Sequence, residues 1–174
     1  MALPKYLFGP LTGFGAVVAA VTAVADQALK LWLVHGYDLA AHGAVRLGPF
    51  MDLVLVWNTG ISYGLFPQVG PFGQWALLAI KVLAVALLWI WLAHSTSRLT
   101  ALALGLIIGG ALGNAIDRAA YGAVADFVLW HVTLGGRRFD WYVFNLADVG
   151  IVAGVIGLLY ESTFTKAPQK RPDP

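Results

Sequence analysis

GLIIGGALGNAIDRAAYGAVADF, residues 105–127, is the stretch around which the chain is organised. It opens as an apolar helix in which Gly105, Gly109 and Gly113 recur at every fourth position. Small residues at that spacing line one helix face and let a neighbouring backbone come close inside a membrane. Asn114 and Asp117 continue that face, Arg118 follows, and Asp126 lies just past the helical run. Polar groups at the edge of hydrocarbon are costly, so a cluster of them marks a site.

Composition puts the rest of the chain in a bilayer too. Of its 174 residues, 59% are hydrophobic and 11% charged, with a mean hydropathy of +0.75; a soluble domain carries about 25% charged residues. The net charge of +2 comes from scattered basic residues, not from the basic stripe of a nucleic-acid binder. The absence of cysteine removes disulfides, thiol nucleophiles and Cys-ligated metals. His35, His42, His94 and His131 have none of the short spacings of a helical zinc motif, so neither a metal nor another cofactor is expected.

Four segments, about 11–34, 72–93, 99–119 and 144–163, have the ~20 mostly apolar residues that cross ~30 Å of hydrocarbon. Ala23-Val24-Ala25 has the small-x-small form of a secretory cleavage site, but Leu29, Leu31, Trp32, Leu33 and Val34 carry the apolar run past it, which favours a span. Lys5, Arg98, Lys166, Lys170 and Arg171 outweigh Arg46, Arg137 and Arg138 on the other side, placing both termini in the cytoplasm. Two segments then face outward. In the first, about 37–71, β-branched and aromatic residues around Gly48-Pro49 and Asn58-Thr59-Gly60 predict short strands joined by turns. The second, about 120–143, is expected as an outer loop with a turn at Gly135-Gly136. No linker divides the chain, so residues 1–174 read as a single integral membrane domain.

Alternating span directions bring the polar residues to one depth. Asp26 and Lys30 lie late in the first span, Asn114, Asp117 and Arg118 late in the third, Asn145 and Asp148 early in the fourth, and Asn58 arrives on the first outer segment. Without cysteine or a recognisable Ser-His pair, the available chemistry is that of carboxylates: one takes a proton from water while a second, protonated, donates to a carbonyl. Such a pair must be free of cations. Asp26 has Lys30 one turn on, Asp117 has Arg118 beside it and can meet Lys30 across the bundle, and Asp140 follows Arg137 and Arg138. Asp126 and Asp148 have no basic residue within a turn, which leaves them able to share a proton. Plainer readings stand beside this one. Asp126 is also an ordinary loop aspartate, Asp148 a helix N-terminal acid, Asn145 an N-cap, and Asn58 a turn residue. Val124, Ala125, Phe127 and Val128 flank Asp126 and argue for its burial. Lys81, inside the second span, has no role in this scheme beyond snorkelling.

DQALK at 26–30, NTGISYGLF at 58–66, GGALGNAIDRAAYGAVADF at 109–127 and FNLADVGI at 144–151 together resemble the lipoprotein signal peptidases, or signal peptidase II, from Asp26 to about Val155. The resemblance implies a mainly α membrane protein, a four-transmembrane-helix bundle with a small periplasmic β-sheet between helices 1 and 2, in the bacterial inner membrane. It implies an aspartic endopeptidase that removes the signal peptide from diacylglyceryl-modified prolipoproteins, just before the lipidated cysteine, with membrane lipid around it. The family's catalytic aspartates fall on Asp126 and Asp148. Its substrate-binding residues fall on Asn58, Asn114, Arg118 and Asn145, and its structural supports on Asp26, Lys30, Gly110 and Asp117. Tyr63 stands where many members have Phe. A monomer sensitive to globomycin-type cyclic peptide inhibitors is expected.

Two other classes remain open at this stage. Asn114-x-x-Asp117 and Asn145-x-x-Asp148 repeat one spacing on helices of opposite direction, as inverted repeats of a small ion- or solute-coupled transporter do. The glycine faces and ion pairs also suit a non-catalytic assembly subunit.

Overall fold

The computed structural model describes residues 7–60 and 71–164; Lys5, residues 61–66 with Tyr63, and Lys166, Lys170 and Arg171 lie outside the described residues. At its centre is α4 (Arg98–Tyr121), the helix of the glycine stretch. Ser97 caps its start, the hydroxyl accepting the Thr100 N–H at 3.3 Å, which satisfies one of the donors a helix leaves open. The helix stops at Gly122, whose φ of 72° suits a residue without Cβ and whose N–H returns to the Arg118 carbonyl at 3.0 Å.

Glycines on two faces of α4 admit two helices. On one face, a Cβ added at Gly105 would stand 2.7 Å from the Gly15 carbonyl oxygen, and one at Gly109 2.5 Å from that of Ala19, both on α1 (Thr12–Leu31). On the other, a Cβ at Gly110 would be driven into the Ala147 carbonyl of α5 (Leu146–Phe164). Gly110→Ala is therefore expected to part α4 from α5 and cost about 1–3 kcal/mol, read as a fall in the thermal midpoint of the purified protein. Gly13→Ala, which meets open space, is the matched control. The remaining long helix, α3 (Pro71–His94), lies against α4, and Ala19, Leu92, Ala101, Leu104 and Ile108 form the apolar core between these helices.

The outward faces are apolar as well. Val17, Val21 and Val24 on α1, Val82, Leu83 and Leu87 on α3, and Val152, Ile156 and Leu159 on α5 are all exposed, the pattern of helices whose solvent is lipid. Thr12–Gly36, which ends in a π-helical turn at Trp32–Gly36, Arg98–Tyr121 and Leu146–Phe164 are long and apolar enough to cross a membrane; α3 contributes a shorter apolar stretch, Leu78–His94.

A short helix α2 (Leu39–His42) leads into a four-stranded antiparallel sheet in the order β1 (Val45–Arg46), β2 (Met51–Asn58), β3 (Val124–Leu134), β4 (Arg137–Phe144). This corrects the expectation of a sheet confined to the segment between the first two spans: half of its strands come from 120–143, expected as a loop. The turn there is as read, with Gly135 and Gly136 at φ 57° and 77°, the two positive values of a tight hairpin. The strands were hidden because Asp126, His131, Arg137 and Arg138 break the apolar alternation that marks a strand. Register pairs Trp57 with Ala125 and Asn58 with Val124, so the strands bring Asn58 beside Asp126. Leu33, Leu39 and Phe127 pack beneath the sheet and join it to the end of α1. Across its outer part, Arg138 ties β4 to Asp52 of β2 at 2.7 Å and pairs with Asp140 of its own strand at 2.5 Å, and that guanidinium holds the Asp52 carboxyl below the usual carboxylate range.

Candidate active site

A buried ion cluster sets the frame. Lys30 Nζ lies 2.8 Å from Asp26 Oδ2 and 2.8 Å from Asp117 Oδ2, and donates to Asn114 Oδ1 at 3.0 Å. All four side chains are buried, and the ammonium's three donors are each used. One cation does not neutralise two carboxylates, and backbone N–H groups supply the rest. Asp26 Oδ1 accepts the N–H of Ala147 at 2.9 Å, at the start of α5 where the helix dipole favours an anion. Asp117 Oδ2 accepts the N–H of Ala125 at 3.1 Å, and Gln27 Nε2 donates to its other oxygen at 2.7 Å. Ala147 and Ala125 immediately precede Asp148 and Asp126. Each carboxylate of the cluster thus anchors the backbone that carries one of the remaining two.

Those two are held by amides. Asp126 accepts from Asn58 Nδ2 at 3.0 Å and from Asn145 Nδ2 at 2.6 Å. Asp148 accepts from Asn114 Nδ2 at 2.9 Å and from the Asn145 backbone N–H at 3.2 Å. Neither has a Lys, Arg or His nitrogen within 4.0 Å among the described residues. The amide orientations follow from their partners: Lys30 only donates, so Asn114 turns its oxygen to the ammonium and its NH₂ to Asp148. Asn145 is a cap and a bridge at once. Its oxygen accepts the Asp148 N–H at 3.0 Å, closing the first turn of α5, while its NH₂ reaches both Asp126 and Asn114 Oδ1. Asn58 is likewise a turn residue, its Oδ1 accepting the Gly60 N–H at 3.0 Å, as well as a partner of Asp126. Burial, and after it the charge of Asp148, pushes the Asp126 carboxyl from 3.8 up to about 6, against the lowering pull of its bonds from Asn58 and Asn145.

Asp126 and Asp148 open on one cavity of about 120 Å³, room for a few solvent-sized groups. Asn58, Asn114 and Arg118 line it with them. Arg118 donates to the Gly60 carbonyl, and its buried Nε and Nη1 have no partner among the described residues. Asn145, expected at the substrate, is fully enclosed and is not among the residues lining the cavity; its side chain bonds to Asp126, Asn114 and the Asp148 backbone. Gly110 lies in the α4–α5 contact and Asp26, Lys30 and Asp117 in the ion cluster. Sequence reasoning missed Gln27, Tyr142 and the position of Lys81. Gln27 sits inside the quoted DQALK and could have been found as a polar neighbour on an apolar helix. Tyr142 and Lys81 line the cavity, and the available signal for Lys81 was its isolation as the single charged residue between Pro71 and His94.

Known proteins resemble this chain in sequence and in fold. The family described as "Signal peptidase (SPase) II" matches residues 18–164. The lipoprotein signal peptidase of Nitrobacter hamburgensis is 61% identical over 158 residues, covering 91% of this chain and 96% of that protein. The lipoprotein signal peptidase of Rhodopseudomonas palustris is 54% identical over the same shares of each. Two solved bacterial membrane enzymes, determined by the in meso method, have the same fold: one at TM-score 0.72 and 22% identity over 92% of this chain and 99% of its own, the other at 0.69 and 23% over 92% and 95%. The transporter and assembly-subunit readings have no support of this kind. With the family matched across most of its length and relatives above half identity covering nine-tenths of it, the chain belongs to the signal peptidase II family of bacterial membrane proteases.

Proposed function

We propose that Asp126 and Asp148 are the catalytic pair of an aspartic endopeptidase that removes the signal peptide from diacylglyceryl-modified prolipoproteins, cutting just before the lipidated cysteine. The observation that carries this reading is the division among the acids. Asp26 and Asp117 are neutralised by Lys30, whereas Asp126 and Asp148 are held by neutral amides on one cavity wall. Two such carboxyls cannot both ionise cheaply, and the proton they retain belongs to the pair. A water between them gives a proton to the ionised member and attacks the scissile carbonyl, while the protonated member donates to the carbonyl oxygen; collapse of the diol returns a proton to the leaving amine. Asn114 and Asn145 aim the carboxylates, and Asn58 and Arg118, with Asn114 at the cavity wall, fix the peptide backbone.

The chain is read as a single integral membrane peptidase domain over residues 1–174, with α3 as the second of four spans, in the bacterial inner membrane. Both termini are cytoplasmic and the sheet is periplasmic, so the site lies at outer-leaflet depth. The acyl chains of the substrate stay in lipid while its backbone enters the cavity. The protein acts as a monomer and is inhibited by globomycin-type peptides. Incubation of the purified protein with a diacylated prolipoprotein is expected to release the signal peptide, by mass analysis, with the unlipidated precursor left whole; equal cleavage of both would overturn the lipid requirement, and cleavage of neither the protease assignment.

The pH profile follows from the Asp126 carboxyl. Its folded value is raised to about 6, so the proton the mechanism needs is present below that value and is lost as pH rises through it. The profile of kcat/KM, which reports the free enzyme, is expected to fall on an alkaline limb near pH 6. Linkage has the same sign: between the ordinary carboxylate range and about 6 the folded state keeps a proton that the unfolded chain has released, so stability declines with rising pH across that window.

A further inference from the structure

One cation at the site has no part in the scheme above. Lys81 lines the cavity that holds Asp126 and Asp148, is partly buried, and has no carboxylate within 4.0 Å among the described residues. It is the single charged residue between Pro71 and His94, on a helix whose other faces are apolar, and an ammonium at that depth needs acceptors. Its place in the fold says where they come from. α3 and α5 both lie against α4 but have no extensive contact with one another among the described residues, and the cavity has Lys81 on its α3 side and Ile151 and Val152 on its α5 side. Lys81 is about 15 Å along α3 from Pro71, whereas Arg118 is about 5 Å from the end of α4 at Tyr121. Lys81 therefore reaches the cavity from well inside α3, and Arg118 from near the end of α4.

We infer that Lys81 is a substrate-positioning residue that receives the free carbonyl groups at the C-terminal end of the signal-peptide helix where it unwinds into the cavity. This rests on the reading of Asp126 and Asp148 as a peptide-cleaving pair. An apolar segment that crosses lipid must be helical, and its last four carbonyls have no intrahelical partner. To present an extended peptide bond to two carboxyls, the substrate must end its helix below them, with those carbonyls still in low-dielectric surroundings. The end of a helix carries partial negative charge, and a lysine ammonium is a fitting donor there. Ile151 and Val152 meet the apolar side chains of the same segment, so the cleft has one donor at the depth where one is required. The other buried lysine cannot serve, since Asp26, Asp117 and Asn114 take all the hydrogens of Lys30.

The test is steady-state cleavage of a diacylated prolipoprotein by the full-length protein in lipid nanodiscs. Lys81→Met, which keeps an apolar stem of similar length, is expected to raise KM about tenfold with kcat within twofold and the alkaline limb of the pH profile unmoved; Lys81→Arg is expected to restore most of the loss. A substrate with a lysine of its own in the last turn of its apolar helix should bind Lys81→Met nearly as well as wild type, because it brings its own cap. An unchanged KM in Lys81→Met overturns the inference, as does a loss confined to kcat with a displaced alkaline limb, which would place the ammonium at the carboxyl pair instead. If Lys81→Met does not fold, Lys81→Gln, which keeps a polar head without the charge, takes its place: a smaller rise in KM with kcat within twofold is expected, and an unchanged KM overturns the inference. Wild-type protein that cleaves neither substrate overturns the protease reading itself, a result distinct from any of these.

Discussion

Asp126→Asn is expected to lower kcat for prolipoprotein cleavage by roughly a thousandfold or more while the protein still folds and inserts. An amide of the same shape cannot pass a proton between water and the scissile carbonyl. The cost to the fold is smaller than the cost to the reaction. Asp126 accepts two amide donors, from Asn58 and Asn145; the new side chain accepts one through its oxygen and sets its own NH₂ against the other, at about 1–3 kcal/mol. Against this, a carboxyl already pushed up to about 6 by burial and by Asp148 gives up little by losing its charge. Asp148→Asn is expected to show the same separation, with its amide partners Asn114 and the Asn145 backbone. Mass analysis of the product measures turnover, and a thermal midpoint on the same preparation measures the fold. Turnover within tenfold of wild type in either variant would remove these residues from the chemistry.

The largest effect on stability is expected from Lys30→Met. Lys30 is 3% exposed, between Asp26 at 0% and Asp117 at 1%, so removing the ammonium leaves two enclosed carboxylates without a cation and costs about 3–5 kcal/mol. The yield of folded protein from membranes should collapse. Lys30→Met combined with Asp26→Asn and Asp117→Asn takes away the charges together, and replacing a whole buried ion set is far milder than breaking it. The triple variant should regain most of the thermal midpoint. It should not regain activity, because Asn114 loses the donor that turns its NH₂ toward Asp148. A triple variant no more stable than Lys30→Met would show that the cluster contributes by shape and not by charge.

The sorting of the acids was legible because charge pairing on a helix is a matter of spacing: Lys30 lies four residues from Asp26, and the structure pairs them. The glycine faces were legible for the same reason, a period that survives folding intact. The hairpin of β3 and β4 was not, since its strand pattern is interrupted by residues that belong to the site and to the Arg138 strap. Local function overrode local propensity there. Asn58 and Asn145 show a different limit. Each had a plain reading, as a turn residue and as a helix cap, and each plain reading is correct in the structure. A carboxamide has a donor end and an acceptor end, and these residues use the acceptor for the backbone and the donor for Asp126. The second use depends on a partner far along the chain, which spacing does not reveal. Lys81 could be seen to be isolated, but what it faces is a product of how α3 lies on α4.

One feature of the ion cluster reaches beyond its energy. Asp126 rides on a strand and Asp148 on a helix, yet the residue before each is tethered through one aspartate to the same lysine nitrogen. That nitrogen is a shared origin for both reacting groups. When the sheet tilts on the bundle or the bilayer thickens, the two carboxyls are carried along as a unit, and their mutual spacing is insulated from the deformation of the scaffold that bears them.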